Sequence, residues 1–430
     1  MKFTHEAVER KNLMVSNFAR ITRAVVLCLT VSLFAGAVQA ADPVKIGFAG
    51  PMTGPVSAFG NEIKRGIDMA IAAINAKGGV KGRMFEVVVR DDEFDPVKTV
   101  SAYRDLIERQ DVIAMVGTAN SAAMLAVTPL LNDQFMIPTI CVHTDATAII
   151  NNAAQAEGRD NYLFRLGMFG NGQADFLVDS MVKKFGLTKV GLLTWTAGYG
   201  QIGRKELTRR LTELGMKPVA DETFETSDTD MTAQLLKLKA AGAEVILHYG
   251  TIKEAVAIFQ TRKKLGEPMI PFVSSWGIAV PALWKAAGDL AEGTINSNVV
   301  TVDGPQSPER AAVIAEYHKR YNQDFDDPAS FFDAYDAVIL FSIAMDKAGF
   351  KPSAIRSALE QIPSYKGVGL SVDHPVFTKE RHEGHTLDDM MLGRWTSGKF
   401  LNVSYDAGGP YITPTAGEKK YIDPKSFALR

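Results

Sequence analysis

The stretch most suggestive of chemistry in this 430-residue chain is a glycine motif at Gly198, Gly200 and Gly203. The spacing G-x-G-x-x-G after an apolar run is typical of turns that bind the pyrophosphate of a dinucleotide. However, the apolar run ends at Trp195, two residues separate it from the first glycine, and Tyr199 occupies the tip of the turn. We therefore predict a cleft loop in which the tyrosine ring faces a ligand, and not a nicotinamide site.

Two other clusters of ionisable residues could carry chemistry. His374, His382 and His385 lack the carboxylate–histidine signature of a catalytic metal site, so histidines of a solvated loop are the favoured interpretation. Acidic side chains at residues 91–95 could bind a cation, but a strand-end loop that leads into a helix N-terminus explains them more simply. The sequence contains neither a G-x-S-x-G nor a Walker motif. We expect no enzymatic activity, no cofactor and no metal.

Composition favours a well-packed soluble protein of at least two domains, because 46% of the residues are hydrophobic and 22% are charged. The net charge of −2 gives no reason to expect nucleic-acid binding. Basic residues precede an apolar run over residues 24–37, and Val38-Gln39-Ala40 follows it. This order predicts a cleaved signal peptide over residues 1–40, with an uncleaved anchor as the alternative. The exported chain would keep the single thiol of Cys141 and no internal disulfide.

Short apolar runs then alternate with amphipathic segments, which predicts βα units and a mainly parallel sheet in each of two similar lobes. The predicted strands are Val44–Gly50, Phe85–Arg90, Val112–Val116 and Ile137–Val142 in the first series, and Val190–Trp195, Val245–His248 and Ile270–Val273 in the second. The predicted helices include Asp95–Arg109, Ser121–Asn132, Gly170–Phe185, Tyr199–Leu214, Asp230–Ala241, Ile252–Leu265, Pro308–Tyr321, Ser330–Gly349 and Pro352–Gln361. Extended crossings between the lobes are expected at Asn161–Arg165 and Thr294–Asn298.

The predicted topology places a ligand cleft between the lobes. In open parallel sheets, ligands bind beyond the carboxyl ends of the strands, so the loops at these ends should line one shared cleft. The predicted loops are residues 50–60, 117–122, 141–147, 196–200, 249–254 and 274–277.

Several stretches, among them Val44–Arg83, Arg90–Val100, Gly117–Pro138 and Asp230–Gly250, resemble the periplasmic leucine/isoleucine/valine-type substrate-binding proteins of ABC importers. The resemblance covers essentially all of the mature chain. It implies an α/β fold of two Rossmann-like lobes with parallel-sheet cores joined by three hinge crossings, the type I periplasmic binding fold. The N-terminal lobe would comprise residues 41–163 and 296–372, and the C-terminal lobe residues 164–295 and 373–430. A periplasmic monomer, a small carboxylate ligand and a permease partner in the inner membrane are also implied.

The same resemblance identifies candidate contacts. In that family a serine hydroxyl and backbone amides after the third strand hold the ligand's carboxylate, and Ser121, preceded by Asn120, matches this serine. The alternative is that Ser121 only caps the helix. The family's next contact loop, usually Ser-Pro-x-Ala-Thr, aligns with residues 141–145, so Thr144 and Asp145 replace its alanine and threonine. Tyr199, already singled out, matches a family tyrosine that follows the first strand of the second lobe.

Two departures from the family concern specificity. Trp276 stands where leucine-type binders have the glutamate that pairs with the α-ammonium, and Phe59 replaces a tyrosine. A buried ammonium would then lack its charge partner unless Asp145 takes over, while His143 could bind a second polar group. An amine-free aromatic or branched acid is the competing ligand. Trp276 would either stack on the ligand or pack as a wall residue, and Ile252 completes the predicted contacts. The alternative function is a soluble ligand sensor that docks on a signalling receptor.

Overall fold

The computed structural model describes residues 41–196, 198–266, 270–372 and 374–403. The predicted signal peptide at residues 1–40 and the tail after residue 403 lie outside the described residues. The strands are β1 (Val44–Gly50), β2 (Phe85–Asp91), β3 (Ala114–Val116), β4 (Thr139–Cys141), β5 (Leu163–Arg165), β6 (Val190–Trp195), β7 (Ala220–Phe224), β8 (Val245–Tyr249), β9 (Phe272–Ser274), β10 (Ile295–Asn298), β11 (Tyr365–Lys366), β12 (Ser371–Val372), β13 (Met391–Thr396) and β14 (Lys399–Asn402).

The sheet of the first lobe is parallel throughout, in the order β2-β1-β3-β4-β5. The sheet of the second lobe has the order β14-β13-β10-β9-β8-β6-β7. Its strands β6 to β10 are parallel, whereas β13 is antiparallel to both β10 and β14. The central strands β1 and β8 are buried almost throughout, as expected where helices cover both faces of a parallel sheet.

The helices alternate with these strands. They are α1 (Ser57–Ala76), α2 (Pro96–Glu108), α3 (Ser121–Leu130), α4 (Ala153–Ala156), α5 (Gly170–Asp179), α6 (Gly198–Glu213), α7 (Thr232–Ala240), α8 (Ile252–Leu265), α9 (Pro281–Ala287), α10 (Pro308–Tyr321), α11 (Pro328–Ala348) and α12 (Pro352–Leu359). The predicted fold class, two Rossmann-like lobes with parallel-sheet cores, is therefore confirmed. The predicted lobe boundaries stay a prediction.

Several local predictions are wrong in detail. The predicted helix Ser121–Asn132 ends at Leu130 and continues as a π-helical turn, Leu131–Phe135, directly after Pro129, whose nitrogen has no hydrogen to donate. A second π-helical turn, Ser180–Lys184, similarly ends the helix predicted over Gly170–Phe185. The strands β7, β13 and β14 were not predicted. In β7 only Phe224 is buried, as expected for an edge strand, so its apolar pattern is weak.

Helix α11 is the longest helix among the described residues and forms the core beside α1. By length and composition it could cross a membrane, but 83% of its most apolar 18-residue stretch is buried inside the protein, as in the core helix of a globular fold. Asp327 caps its N-terminus by accepting from the backbone N–H of Ser330. Gly66 of α1 allows the close approach, because a Cβ there would lie 2.3 Å from the carbonyl oxygen of Phe331.

The strand orders determine where a ligand can bind. Each sheet reverses its winding direction at one point, between β1 and β3 in the first lobe and between β6 and β8 in the second. Ligands of doubly wound sheets bind at such switch points, beyond the carboxyl ends of the strands. The loops after β1, β3, β6 and β8 are therefore expected to line a ligand site.

Candidate ligand-binding cleft

A stack of three rings joins the two lobes. Phe59 in α1 lies on His143, which follows β4, with 4.5 Å between ring centroids. The other face of His143 lies on Trp276, which follows β9 in the second lobe, at 4.9 Å and an interplanar angle of 22°. Trp276 is only 7% exposed. The structure thus brings three of the predicted residues together, and Trp276 makes its ring contact with His143.

His143 is oriented by the start of α11. Its Nδ1 lies 2.5 Å from the Ser330 hydroxyl oxygen and 3.3 Å from a carboxylate oxygen of Asp327, to which Ser330 also donates. Burial raises the pKa of Asp327, but hydrogen bonds from His143 and Ser330 and the charge of His143 outweigh it and lower the pKa overall. No local sequence pattern connects His143 with Asp327 or Ser330, because Ser330 lies 187 residues further along the chain.

The N-terminus of α3 is capped by Asn120 and not by Ser121. The Asn120 side chain accepts from the backbone N–H groups of Ala122 and Ala123 at 2.9 and 3.3 Å. The alternative that Ser121 is a plain N-cap is therefore wrong. The Ser121 hydroxyl instead donates to the Asp145 carboxylate at 3.4 Å and accepts from the Asp145 backbone N–H at 3.2 Å.

Asp145 is a buried carboxylate, 4% exposed, in the loop that follows β4. Its Oδ1 accepts from Ser121, whereas its Oδ2 has no hydrogen-bond partner within the described part of the chain. Burial raises its pKa from 3.8 to about 6, although the charge of Arg165 and the hydrogen bond from Ser121 oppose the rise. The Arg165 guanidinium itself pairs with Glu383 and donates to the carbonyl oxygens of Thr144 and Ala146. Arg165 therefore attracts Asp145 without bonding to it.

Tyr199 lies in the first turn of α6 on the opposite side of the cleft. Its hydroxyl donates to Ser275 at 2.8 Å, and its ring lies 5.2 Å from that of Tyr249 at the end of β8. Burial raises the pKa of both phenols. The charge of Asp145 adds to the rise for Tyr199, and Tyr199 and then Asp145 add to it for Tyr249. A Cβ on Gly203 would come within 2.1 Å of the Tyr249 ring, so the third glycine of the motif makes room for this tyrosine.

Gln173 in α5 is a site residue that the sequence analysis missed. Its Oε1 accepts from the Trp276 backbone N–H at 2.7 Å and from the Ser297 hydroxyl at 2.8 Å, so it fixes the loop that carries Trp276. Its side chain lies near the phenols of Tyr199 and Tyr249 and opposes the rise of their pKa, yet its Nε2 makes no hydrogen bond of normal geometry among the described residues. Its one sequence signal is a polar residue within the buried glycine- and alanine-rich face of α5.

The remaining candidates lie elsewhere. Ile252 begins α8 and packs, partly buried, against the core of the second lobe. The interpretation of solvated loop histidines is wrong for His382 and His385, which are 1% and 2% exposed. His382 stacks on Phe164 at 4.1 Å, and His385 pairs with Asp333 at 3.2 Å, because their segment runs along β5 and not through solvent. No group of histidine, cysteine and acidic residues in the described ranges is arranged to hold a metal.

The acidic cluster is explained by local hydrogen bonds. Asp95 caps α2 by accepting from the N–H groups of Val97 and Lys98, so the acidic loop leads into a helix N-terminus as predicted. Asp92 accepts from the hydroxyls of Thr99 and Thr118 at 2.9 and 2.6 Å. These carboxylates are structural acceptors of a strand-end loop.

Two doubly wound lobes whose switch-point loops meet around a buried polar cleft define a two-lobed solute-binding protein. A sequence profile described as periplasmic binding protein matches residues 43–399. The chain belongs to the periplasmic binding protein family, and its resemblance to the leucine/isoleucine/valine-type members is confirmed.

Individual relatives and structures agree with this assignment. Leu/Ile/Val-binding protein homolog 7 of Brucella suis is 25% identical over 391 residues, which span 87% of this chain and 95% of the relative. A leucine-, isoleucine-, valine-, threonine- and alanine-binding protein of Pseudomonas aeruginosa is 27% identical over 334 residues, 77% of this chain and 86% of its own length.

Solved structures share the fold. The branched-chain amino acid transporter substrate-binding protein LivJ of Streptococcus pneumoniae, in complex with isoleucine, gives a TM-score of 0.70 at 24% identity, covering 83% of this chain and 97% of its own. A solute-binding protein of an ABC transporter from Rhodopseudomonas palustris, in complex with 3,4-dihydroxybenzoic acid, gives 0.69 at 20% identity, covering 84% and 96%.

Proposed function

We propose that this protein is the solute-binding component of an ABC importer and binds a small carboxylate in the cleft between its lobes. The observation that carries the proposal is the proximity of buried polar groups from both lobes, in which Asp145 and Gln173 act on the phenols of Tyr199 and Tyr249. Asp145, Gln173 and Tyr249 each present a polar atom there that lacks a hydrogen-bond partner in the described ranges. Buried polar groups of native proteins are normally satisfied, so these atoms are suited to a solute.

Two ligand classes are supported by the relatives. The Pseudomonas aeruginosa relative is named for aliphatic amino acids, and the Rhodopseudomonas palustris structure holds an aromatic acid without an amine. Both are small carboxylates of a size that closed lobes can enclose. The alternative, a soluble sensor that docks on a signalling receptor, has no relative named for it among those compared above.

The remaining parts of the proposal follow from membership in the family. We place the protein in the periplasm, where it would act as a monomer without cofactor or catalytic turnover. Its membrane partner would be a permease that accepts the solute when the lobes open. Hinge closure around the ligand would remove the Asp145 and Tyr199 sides of the cleft from water together.

A thermal-shift screen tests the proposal. The purified protein is heated with amino acids and with amine-free aromatic and aliphatic acids at several concentrations. A true solute binds the folded protein alone, so the melting temperature of the protein should rise with the logarithm of the ligand concentration above Kd. If neither set of acids raises the melting temperature, the proposed function is contradicted.

A further inference from the structure

The hydroxyl of Ser121 does not face the cleft as an unoccupied anion anchor. It is engaged by the side chain and the backbone N–H of Asp145, at 3.4 and 3.2 Å. The positive end of the ten-residue helix α3 consequently lies beside a carboxylate that belongs to the protein. A ligand carboxylate placed at Ser121 would meet this negative charge, and two carboxylates that share one site repel each other.

The charge of Asp145 is not matched by a hydrogen-bonding cation of the protein. Arg165, the nearest arginine, is bound to Glu383 and to two carbonyl oxygens. His143 turns its Nδ1 to Ser330 and Asp327. From α5, the Gly170 N–H donates to the backbone oxygen of Asp145 and not to its carboxylate. A buried carboxylate is costly unless paired, so Oδ2, which has no hydrogen-bond partner among the described residues, requires a donor from outside the chain.

Aromatic rings and uncharged hydrogen-bond donors lie near Asp145. The rings of Tyr199, Tyr249 and Trp276 lie on the second-lobe side of the cleft. Such faces attract a cation once water is excluded. The hydroxyl of Tyr249 and the Nε2 of Gln173, which have no partner of normal geometry in the described structure, are able to donate to an anionic or carbonyl oxygen.

This inference rests on the proposed function. We propose that the solute carries a protonated nitrogen that donates a hydrogen bond to Asp145 Oδ2. Ser121 then positions Asp145 and does not bind the ligand's carboxylate. The family resemblance implies that the ligand's carboxylate binds at Ser121, whereas the proposal places the ligand's positive charge on this side of the cleft. The carboxylate end of the solute lies towards Tyr249 and Gln173 in the second lobe.

Matched pairs of acids that differ only in the amine test this inference by titration calorimetry. The pairs include leucine with 4-methylpentanoate and phenylalanine with 3-phenylpropanoate, extended to the other amino acids with available amine-free partners. The amine-bearing member should bind at least about 100-fold more tightly, the range expected when one partner of a desolvated charge pair is removed. Asp145→Asn should abolish this difference by weakening the amine-bearing member.

A second variant keeps the test independent of the asparagine substitution. Asp145→Thr introduces the residue that the family usually has at this place, frees the Ser121 hydroxyl, and should allow amine-free acids to bind more tightly than they bind the parent protein. Asp133→Asn removes an exposed carboxylate that pairs with Arg159 and should change neither affinity. Far-ultraviolet circular dichroism and cooperative melting establish that each variant is folded.

The outcomes separate the two proposals. An amine-free acid that binds as tightly as its amine-bearing partner, or unchanged discrimination in Asp145→Asn, overturns the inference and leaves the solute-binding function standing. Failure of every acid to bind the parent protein contradicts the proposed function itself, and the inference with it.

Discussion

Replacing Asp145 by asparagine should make the ligand-free protein more stable. The buried carboxylate has its pKa raised from 3.8 to about 6, chiefly by burial. The protonated carboxyl is the form that the folded protein favours. Its contribution to stability is therefore complete at a pH below the pKa of the unfolded chain, and it is lost as the pH rises through the higher pKa of the folded protein. Above pH 6, the ionised side chain therefore costs about 3 kcal/mol relative to a protonated one. Asparagine has nearly the same shape and carries no charge.

The net gain is smaller than this figure. The amide of asparagine leaves an N–H group without a partner in place of Oδ2, which costs about 1–2 kcal/mol. We expect Asp145→Asn to be about 1–2 kcal/mol more stable than the parent at pH 7.5. The difference should shrink and reverse sign towards pH 4, because the parent carboxyl then becomes protonated while asparagine keeps its unpaired N–H.

Urea unfolding followed by tryptophan fluorescence measures this difference. Parent and variant are compared without ligand from pH 4 to pH 7.5. Glu62 and Asp333, whose pKa values burial also raises, to about 7 and about 6, titrate in both proteins and cancel in the comparison. Asp133→Asn is the surface control. Equal urea midpoints for parent and Asp145→Asn across the whole pH range would refute the reasoning that Asp145 is an unpaired buried charge.

Three further substitutions test the packing around the cleft. Trp276→Ala should lower the free energy of unfolding by about 3 kcal/mol, through the lost contact with His143, and weaken ligand binding; urea unfolding and calorimetry measure both. Arg165→Met should lower the free energy of unfolding by about 3 kcal/mol in the same assay, because Glu383 loses its partner. A free energy within about 0.5 kcal/mol of the parent, the effect of an ordinary surface substitution, would contradict this. Asp336→Ala removes the acceptor for one hydroxyl and three backbone N–H groups and should lower the melting temperature with little change in affinity; an unchanged melting temperature would show that these bonds contribute nothing.

The order of strands and helices could be predicted from the sequence because apolar runs of the parallel sheets are buried on both faces. Helix N-caps such as Asp95 can also be predicted from the sequence, because the capping side chain accepts from backbone N–H groups two or three residues further on. The hairpin of β13 and β14 was missed although its local signal is present, a two-residue turn in which Ser397 and Gly398 both have positive φ. Its pairing with β10, about 100 residues away, has no such signal. A local pattern contains no information about such a pairing.

The candidate site was predictable as a set of loops but not as a set of contacts. Switch points follow from topology, and Ser121, Tyr199 and Trp276 do lie at strand ends. The direction in which Asp145 points depends on the three-dimensional arrangement of α3, β5 and the second lobe. For the same reason the burial of His382 became visible only once its segment was placed along β5.

The ring stack of Phe59, His143 and Trp276 has a consequence for how affinity can evolve. One interface in the stack, that of His143 with Trp276, exists only while the lobes are together. A ring contact of this kind contributes about 1 kcal/mol, which multiplies the ratio of closed to open molecules by about five. Substitutions that strengthen or weaken the stack would change how tightly every solute is held by a similar factor. The stack therefore adds to the retention of every solute, whereas the choice among solutes also depends on groups outside the stack, such as Asp145.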